Sequence, residues 1–224
     1  MMRVATCAGI PATITCCILT MGLPATCSAE MVTVELTAEV THVRDLNNLL
    51  GGQVQVGNVI SGQYIYETTT PDTHPEPTIP TVAQYRHTTT PYGMSVHAGP
   101  YVFQTDPSQV DFLIEICNDH NPSADSYMLR SVNNLPINSD VAVPEIYWQL
   151  DDFQGDAIDS VALTNAPPVL SDWQYPRSLS IGGADRDSFR IKATVTSVQV
   201  VPEPATLGLL GLGLTALLTS RRRR

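Results

Sequence analysis

Residues 32–43 alternate without a break, Val32, Val34, Leu36, Ala38 and Val40 on one face and Thr33, Glu35, Thr37, Glu39 and Thr41 on the other. Successive side chains of an extended chain point to opposite faces, so this period of two predicts a strand with one wet side and one buried side. Residues 188–198 repeat it, with Phe189, Ile191, Ala193 and Val195 set against Ser188, Arg190, Lys192, Thr194 and Thr196. Shorter runs at 54–56, 59–67, 82–87, 94–98, 101–105, 110–117, 126–132, 146–150, 157–163 and 179–181 lie between, divided by Gly, Pro, Asn and Asp. Many short strands with turn signals, and no helical period in the body, predict an all-β fold: an antiparallel β-sandwich, jelly-roll-like. The first and last strands are expected to be neighbours, because Arg190 and Lys192 would then face Glu35 and Glu39. The Pro/Thr-rich stretch 68–81 has strands on both sides and reads as a long extended loop within one domain.

Both ends depart from this pattern. Residues 1–29 carry one charge, Arg3, then an uncharged and mostly apolar stretch to Leu23, then small residues with Cys27 and Ala29 at the third-last and last places. These are the parts of a secretory signal peptide, so signal peptidase is expected to cut after Ala29 and leave Glu30 first. At the other end, Pro202 and Pro204 remove two backbone donors and must stop the strand before them. From Ala205 to Ser220 run sixteen uncharged residues with leucine at 207, 209, 210, 212, 214, 217 and 218. Leucines on every side exclude an amphipathic surface helix. As a helix the stretch is about 24 Å long, just short of the ~30 Å hydrocarbon core, and reads as a C-terminal transmembrane helix. Arg221, Arg222, Arg223 and Arg224 then act as a basic stop-transfer cluster that keeps their own side cytoplasmic and the body outside. The organisation is thus a signal peptide (1–29), a β-sandwich body (30–200) and a tail (201–224).

The chain has 224 residues, 43% hydrophobic and 15% charged, and the charge is unevenly spread. Residues 31–200 hold seven Lys/Arg against twenty Asp/Glu, which repels phosphate backbones and excludes nucleic-acid binding. Of five cysteines only Cys117 lies beyond residue 29, so the body has neither an internal disulfide nor a cysteine zinc site.

The ordered tail Val201-Pro202-Glu203-Pro204-Ala205, then an apolar helix, then four arginines, resembles the PEP-CTERM sorting signal of Gram-negative bacteria. The resemblance implies recognition by exosortase, a membrane-embedded cysteine transpeptidase that removes the tail near the sorting motif Pro202, Glu203 and Pro204. It also implies a bacterial setting of exopolysaccharide or biofilm matrix, with exopolysaccharide a candidate partner. The body is similar to modules in other proteins with such tails, on segments 85–93, 111–116 and 125–129, and no catalytic motif comes with that likeness.

Candidate chemistry in the body is sparse. Asp111 and Glu115 share a strand face but lie about 13 Å apart, too far for the carboxylate pair of a glycosidase. The five histidines show no ligand spacing, Cys117 has no histidine base, and no serine sits in a Gly-x-Ser-x-Gly elbow. Two oxygen-rich stretches, 118–125 and 151–159, are the places where calcium would find hard ligands, and Asp151, Asp152, Asp156 and Asp159 are the candidate site. Tyr92, Tyr101, Tyr147, Trp148, Trp173 and Tyr175 are either core or a stacking platform for sugar rings; Tyr147 and Trp148 are adjacent and must face opposite ways. No catalytic residue and no cofactor other than calcium is expected. The reading is an exported, non-enzymatic structural or interaction module at the cell surface or in extracellular matrix; the alternative is a carbohydrate-binding module or a secreted polysaccharide-active enzyme.

Overall fold

A computed structural model describes residues 30–202 apart from 77, 121–123, 139–140 and 184–187, with the backbone alone at Pro176. The expected signal peptide with Ala29, the apolar tail segment, Glu203, Pro204 and Arg221 to Arg224 lie outside the described residues.

The alternation of the first run becomes strand β1 (Met31–Arg44), whose Val32, Val34, Leu36, Ala38 and Val40 are all buried. Nine more strands follow: β2 (Val59–Glu67), β3 (Val82–His87), β4 (Gly93–Ala98), β5 (Tyr101–Gln104), β6 (Phe112–His120), β7 (Ala124–Ser131), β8 (Ile146–Asp152), β9 (Tyr175–Gly182) and β10 (Arg190–Val200). The fold is all-β and every pairing is antiparallel. The finer expectation of a jelly-roll sandwich is corrected: the strands form one continuous sheet in the order β3-β6-β7-β8-β9-β10-β1-β2-β4-β5. Strands β6 to β10 form a meander, and β10 pairs with β1, so no break divides the sheet into two.

The sheet closes its core by curling. Tyr64 on β2 and Trp148 on β8 stand four strands apart in the order, yet their rings are 5.8 Å apart, and the Tyr64 and Tyr127 hydroxyls are 3.5 Å apart. Phe103 on β5 likewise reaches Phe189 beside β10 at 5.8 Å. The curl brings the sheet's edges to other strands: the Glu67 amide of β2 donates to His87 Nε2 of β3 at 3.1 Å. The Leu135 amide donates to the Gln104 carbonyl of β5 at 2.9 Å. Such closure covers edge donors and acceptors that would otherwise invite strand addition. Inside, Tyr64, Tyr66, Phe112, Trp148, Trp173 and Phe189 are fully buried, each removing apolar surface worth about 1.5–3 kcal/mol from water.

The first and last strands are neighbours, as expected, but not for the expected reason. In the β1–β10 register Glu39 faces Thr194, Glu35 faces Gln199, and Arg44 faces Arg190, so the charges do not meet. What joins these strands is their shared buried face and a long ladder of backbone bonds. Two expected strands are also absent. Residues 54–56 belong to the 45–58 loop, and residues 157–163 belong to a loop whose amides are taken by a side chain instead of a neighbouring strand.

Candidate functional site

The body begins and ends at one end of the molecule, on neighbouring strands. Antiparallel pairing of β1 with β10 sets Val34 opposite Val200, and the Val201 amide donates to the Thr33 carbonyl at 2.8 Å. Pro202 is exposed and has no donor to continue the ladder. The chain thus leaves the sheet at Pro202 without a linker, two strand positions from where it came in.

Residues 153–174 run around this end. The loop leaves β8, and the amides of Ala157 and Ile158 donate to Asp125 Oδ2 of β7, each at 3.0 Å. The Val161 carbonyl then accepts from the Tyr85 hydroxyl of β3 at 2.9 Å, and the Thr164 carbonyl from the Tyr66 hydroxyl of β2 at 2.6 Å. Asn165 Nδ2 donates to Glu30 Oε2 beside β1 at 3.1 Å, and the single 3-10 turn Leu170–Asp172 packs beside β10 before β9 begins. The loop visits β8, β7, β3, β2, β1, β10 and β9 in turn and caps the open end of the curl. Ala157, Ile158, Val161, Leu163 and Leu170 pack down onto the core.

Its latch is a pair of aspartates. Asp125 and Asp152 face each other in the β7–β8 register, and both are fully buried. Two buried like charges would repel, but each carboxylate is met by backbone donors. Asp125 Oδ1 accepts from the Asp119 amide at 2.9 Å, in addition to the two loop amides. Asp152 accepts from the amides of Gln154 at 3.1 Å and Asp156 at 2.9 Å. The amide of Asp156 and its neighbours hold the Asp152 carboxyl below its ordinary pKa, whereas the hydrogen bond to Asp152 and its charge raise that of Asp156. Asp125 was visible in the sequence only as one acid of an oxygen-rich stretch. The signal that identifies it is parity: it stands in step with Tyr127, Leu129 and Ser131, an inward position, as Asp152 stands in step with Trp148 and Leu150.

The four acids of the candidate calcium site are distributed around this latch. Asp152 and Asp156 are brought together, Asp159 is exposed, and Asp151 points outward to accept from Gln149 Nε2 at 2.7 Å, with burial raising its pKa. The inward oxygens already face N–H donors, which a cation would repel. Among the described residues no group of three or more His, Cys, Asp or Glu side chains could hold a metal ion.

The remaining candidates scatter. Cys117 is buried, and burial raises its thiol pKa. Asp111 pairs with Arg86, and Glu115 accepts from Gln84, so each acid on that strand face has its own partner. Trp148 and Trp173 are core, Tyr147 turns outward from Trp148, and Tyr92 and Tyr101 are half-buried. Tyr175 is exposed and forms a tilted ring pair with exposed Phe153, centroids 6.5 Å apart.

A shallow cleft of about 500 Å³ crosses the outer face of β10, β1, β2 and β4. It is lined by Glu35, Thr37, Ser61, Gln63, His97 and Gln199 among others, with Gly62 at its floor. A Cβ at Gly62 would stand 2.2 Å from the Ser95 carbonyl oxygen and 2.6 Å from Val96 Cα, so only glycine lets β2 and β4 approach there.

No curated protein and no solved structure matches the chain. One family model does, over residues 200–224, from the last residue of β10 onward. The chain carries a PEP-CTERM protein-sorting motif, which implies export and exosortase-dependent sorting to the cell surface or extracellular space.

Proposed function

We propose that the body is a non-enzymatic structural or interaction module, brought through the inner membrane by a signal peptide, held briefly by an apolar tail helix, and released outside when an exosortase removes that tail. The observation that carries this reading is the junction itself. The ladder of β10 continues to the Val201 amide, and the matched motif starts at residue 200, so the sorting signal is joined directly to the last strand of a closed core. The body is built to survive loss of everything after Pro202: its buried face is completed by its own strands and by the 153–174 cap. The non-enzymatic part is supported by how its acids are used. The buried carboxylates of Asp125 and Asp152 bind backbone amides, and those of Asp111, just before β6, and Glu115, on its outer face, bind Arg86 and Gln84.

Intact-mass measurement of the membrane-bound and released forms tests the reading. The released form is expected to begin at Glu30 and to lack residues 205–224; a released form that retains those residues refutes it. The cleft over β10, β1, β2 and β4 favours a second reading. Its hydroxyl, amide and imidazole groups both donate and accept hydrogen bonds, as sugar hydroxyls require. Binding of the released protein on a glycan array, lost on replacing Gln63 and His97 with Ala, would assign the body to carbohydrate binding.

A further inference from the structure

The capped end also carries five of the nine exposed large apolar side chains among the described residues. Phe153 and Tyr175 are 68% and 65% exposed, Val169 is 61%, and Met31 and Val200, the outermost residues of β1 and β10, are 44% and 36%. Phe153 and Val169 lie on the rim traced by residues 153–174, Tyr175 follows it as the first residue of β9, and Met31 and Val200 are the strand ends it passes. Single exposed apolar residues are ordinary, but an aromatic pair in ring contact beside three aliphatic residues at one end of a molecule is a patch.

The length of chain beyond the last described residue says what meets this patch. From Pro202 to Ala205, the first residue of the sixteen-residue apolar stretch, is three residues, at most about 10 Å of extended chain. The polar layer on each side of a bilayer is about 5–8 Å deep. With the apolar stretch in the hydrocarbon, the point where the chain leaves the body can rise no more than about 2–5 Å above the headgroups. Tyrosine gains most at headgroup depth, where its ring is half in apolar surroundings and its hydroxyl stays wet, and a phenylalanine beside it adds apolar area. The short tether makes the contact intramolecular, so even a weak affinity is enough to orient the body.

We propose that, until the tail is cut, this rim rests on the lipid–water interface of the membrane holding it, with Phe153 and Tyr175 among the headgroups. The inference rests on the spanning tail of the preceding subsection. It also specifies the lipid. Glu30, Asp156, Asp159 and Asp172 are exposed at this end, and the nearby Arg177 of β9 is half-buried and donates to the Trp173 carbonyl. The acidic charge suits a zwitterionic surface and is repelled by an anionic one. Cutting the tail removes the tether, and with it the high local concentration that holds the patch down, so processing and release are a single event for the body.

The test uses the full chain reconstituted into phosphatidylcholine vesicles with brominated acyl chains. Tyr175→Trp is compared with Leu46→Trp, which lies in the 45–58 loop at the other end of β1 and is 70% exposed, after subtraction of the unsubstituted chain. The residue-175 reporter is expected to be quenched at least about threefold more than the residue-46 reporter, since quenching follows depth in the bilayer. Replacing a third of the lipid with phosphatidylglycerol is expected to lower that ratio. Equal quenching at the two positions, in chains that float with the vesicles, overturns the rim's docking while leaving the spanning tail intact. Chains that fail to float remove both. Quenching at 175 that arises only when the processing enzyme is present also overturns the proposal and assigns the rim to a protein partner.

Discussion

Removing the Asp125 carboxylate should detach the cap from the curled sheet. In the wild type it is fully buried and accepts three backbone amides at 2.9, 3.0 and 3.0 Å. Hydrogen bonds to a charged group contribute about 1.5–3 kcal/mol each, and a donor left buried without a partner costs a similar amount. Asp119 is exposed, so its amide turns to water in Asp125→Ala; Ala157 and Ile158 are half-buried and regain only part of their bonding. Relief of repulsion from Asp152, directly opposite, offsets some of the loss. The net expectation is about 3 kcal/mol of destabilisation for Asp125→Ala. Asp125→Asn keeps one acceptor oxygen and turns an N–H group toward an N–H donor, for about half that loss.

The assay is urea unfolding of the released protein with two reporters. Trp173 follows the capping loop and Trp148 lies in the core, and these are the only tryptophans. The Trp173 transition should move to lower urea before that of Trp148, with faster hydrogen exchange at the amides of Ala157 and Ile158. A loss below about 1 kcal/mol with unchanged exchange at those amides would refute the latch, because a buried acceptor of three amides cannot be removed so cheaply.

Three further outcomes are expected. Burial lowers the pKa of His87, so on acidification the unfolded chain takes up a proton first. Its contribution to stability is complete above about pH 6.5 and declines as pH falls toward the folded pKa, and His87→Gln should flatten that slope in urea midpoints taken from about pH 7.5 to 5.5. Gly62→Ala places a methyl group against backbone of β4 and should cost about 2 kcal/mol in a thermal melt; a loss near zero would mean the two strands separate freely. Replacing Arg221, Arg222, Arg223 and Arg224 with Gln should impair membrane retention and processing in cell fractionation while leaving the body's circular dichroism unchanged; normal processing would count against the stop-transfer role.

What could be read directly from residue order was whatever depends on near neighbours. Strand alternation is a property of consecutive residues, so β2 and β3 were expected at the bounds they adopt, and β1 and β10 close to theirs. The sorting motif is also local: two prolines, a leucine-rich run and four arginines are recognisable from their linear order alone. The adjacency of the terminal strands was anticipated on a charge pairing that the register does not contain: Glu35 and Glu39 meet Gln199 and Thr194, whereas Arg190 and Lys192 meet Arg44 and His42 further along β1.

The curl, the single sheet and the cap came from contacts between distant residues. Asp125 takes amides 32 and 33 positions away, and Tyr66 bonds a carbonyl 98 positions away. Residues 157–163 look like a strand because apolar residues recur in them, yet their amides find a buried carboxylate and tyrosine hydroxyls claim two of the loop's carbonyls. An inward-facing aspartate reads as an error in a strand pattern until the partner segment is in place. Burial of a charge is tolerable only with its donors present, and where those donors lie is decided when the sheet closes.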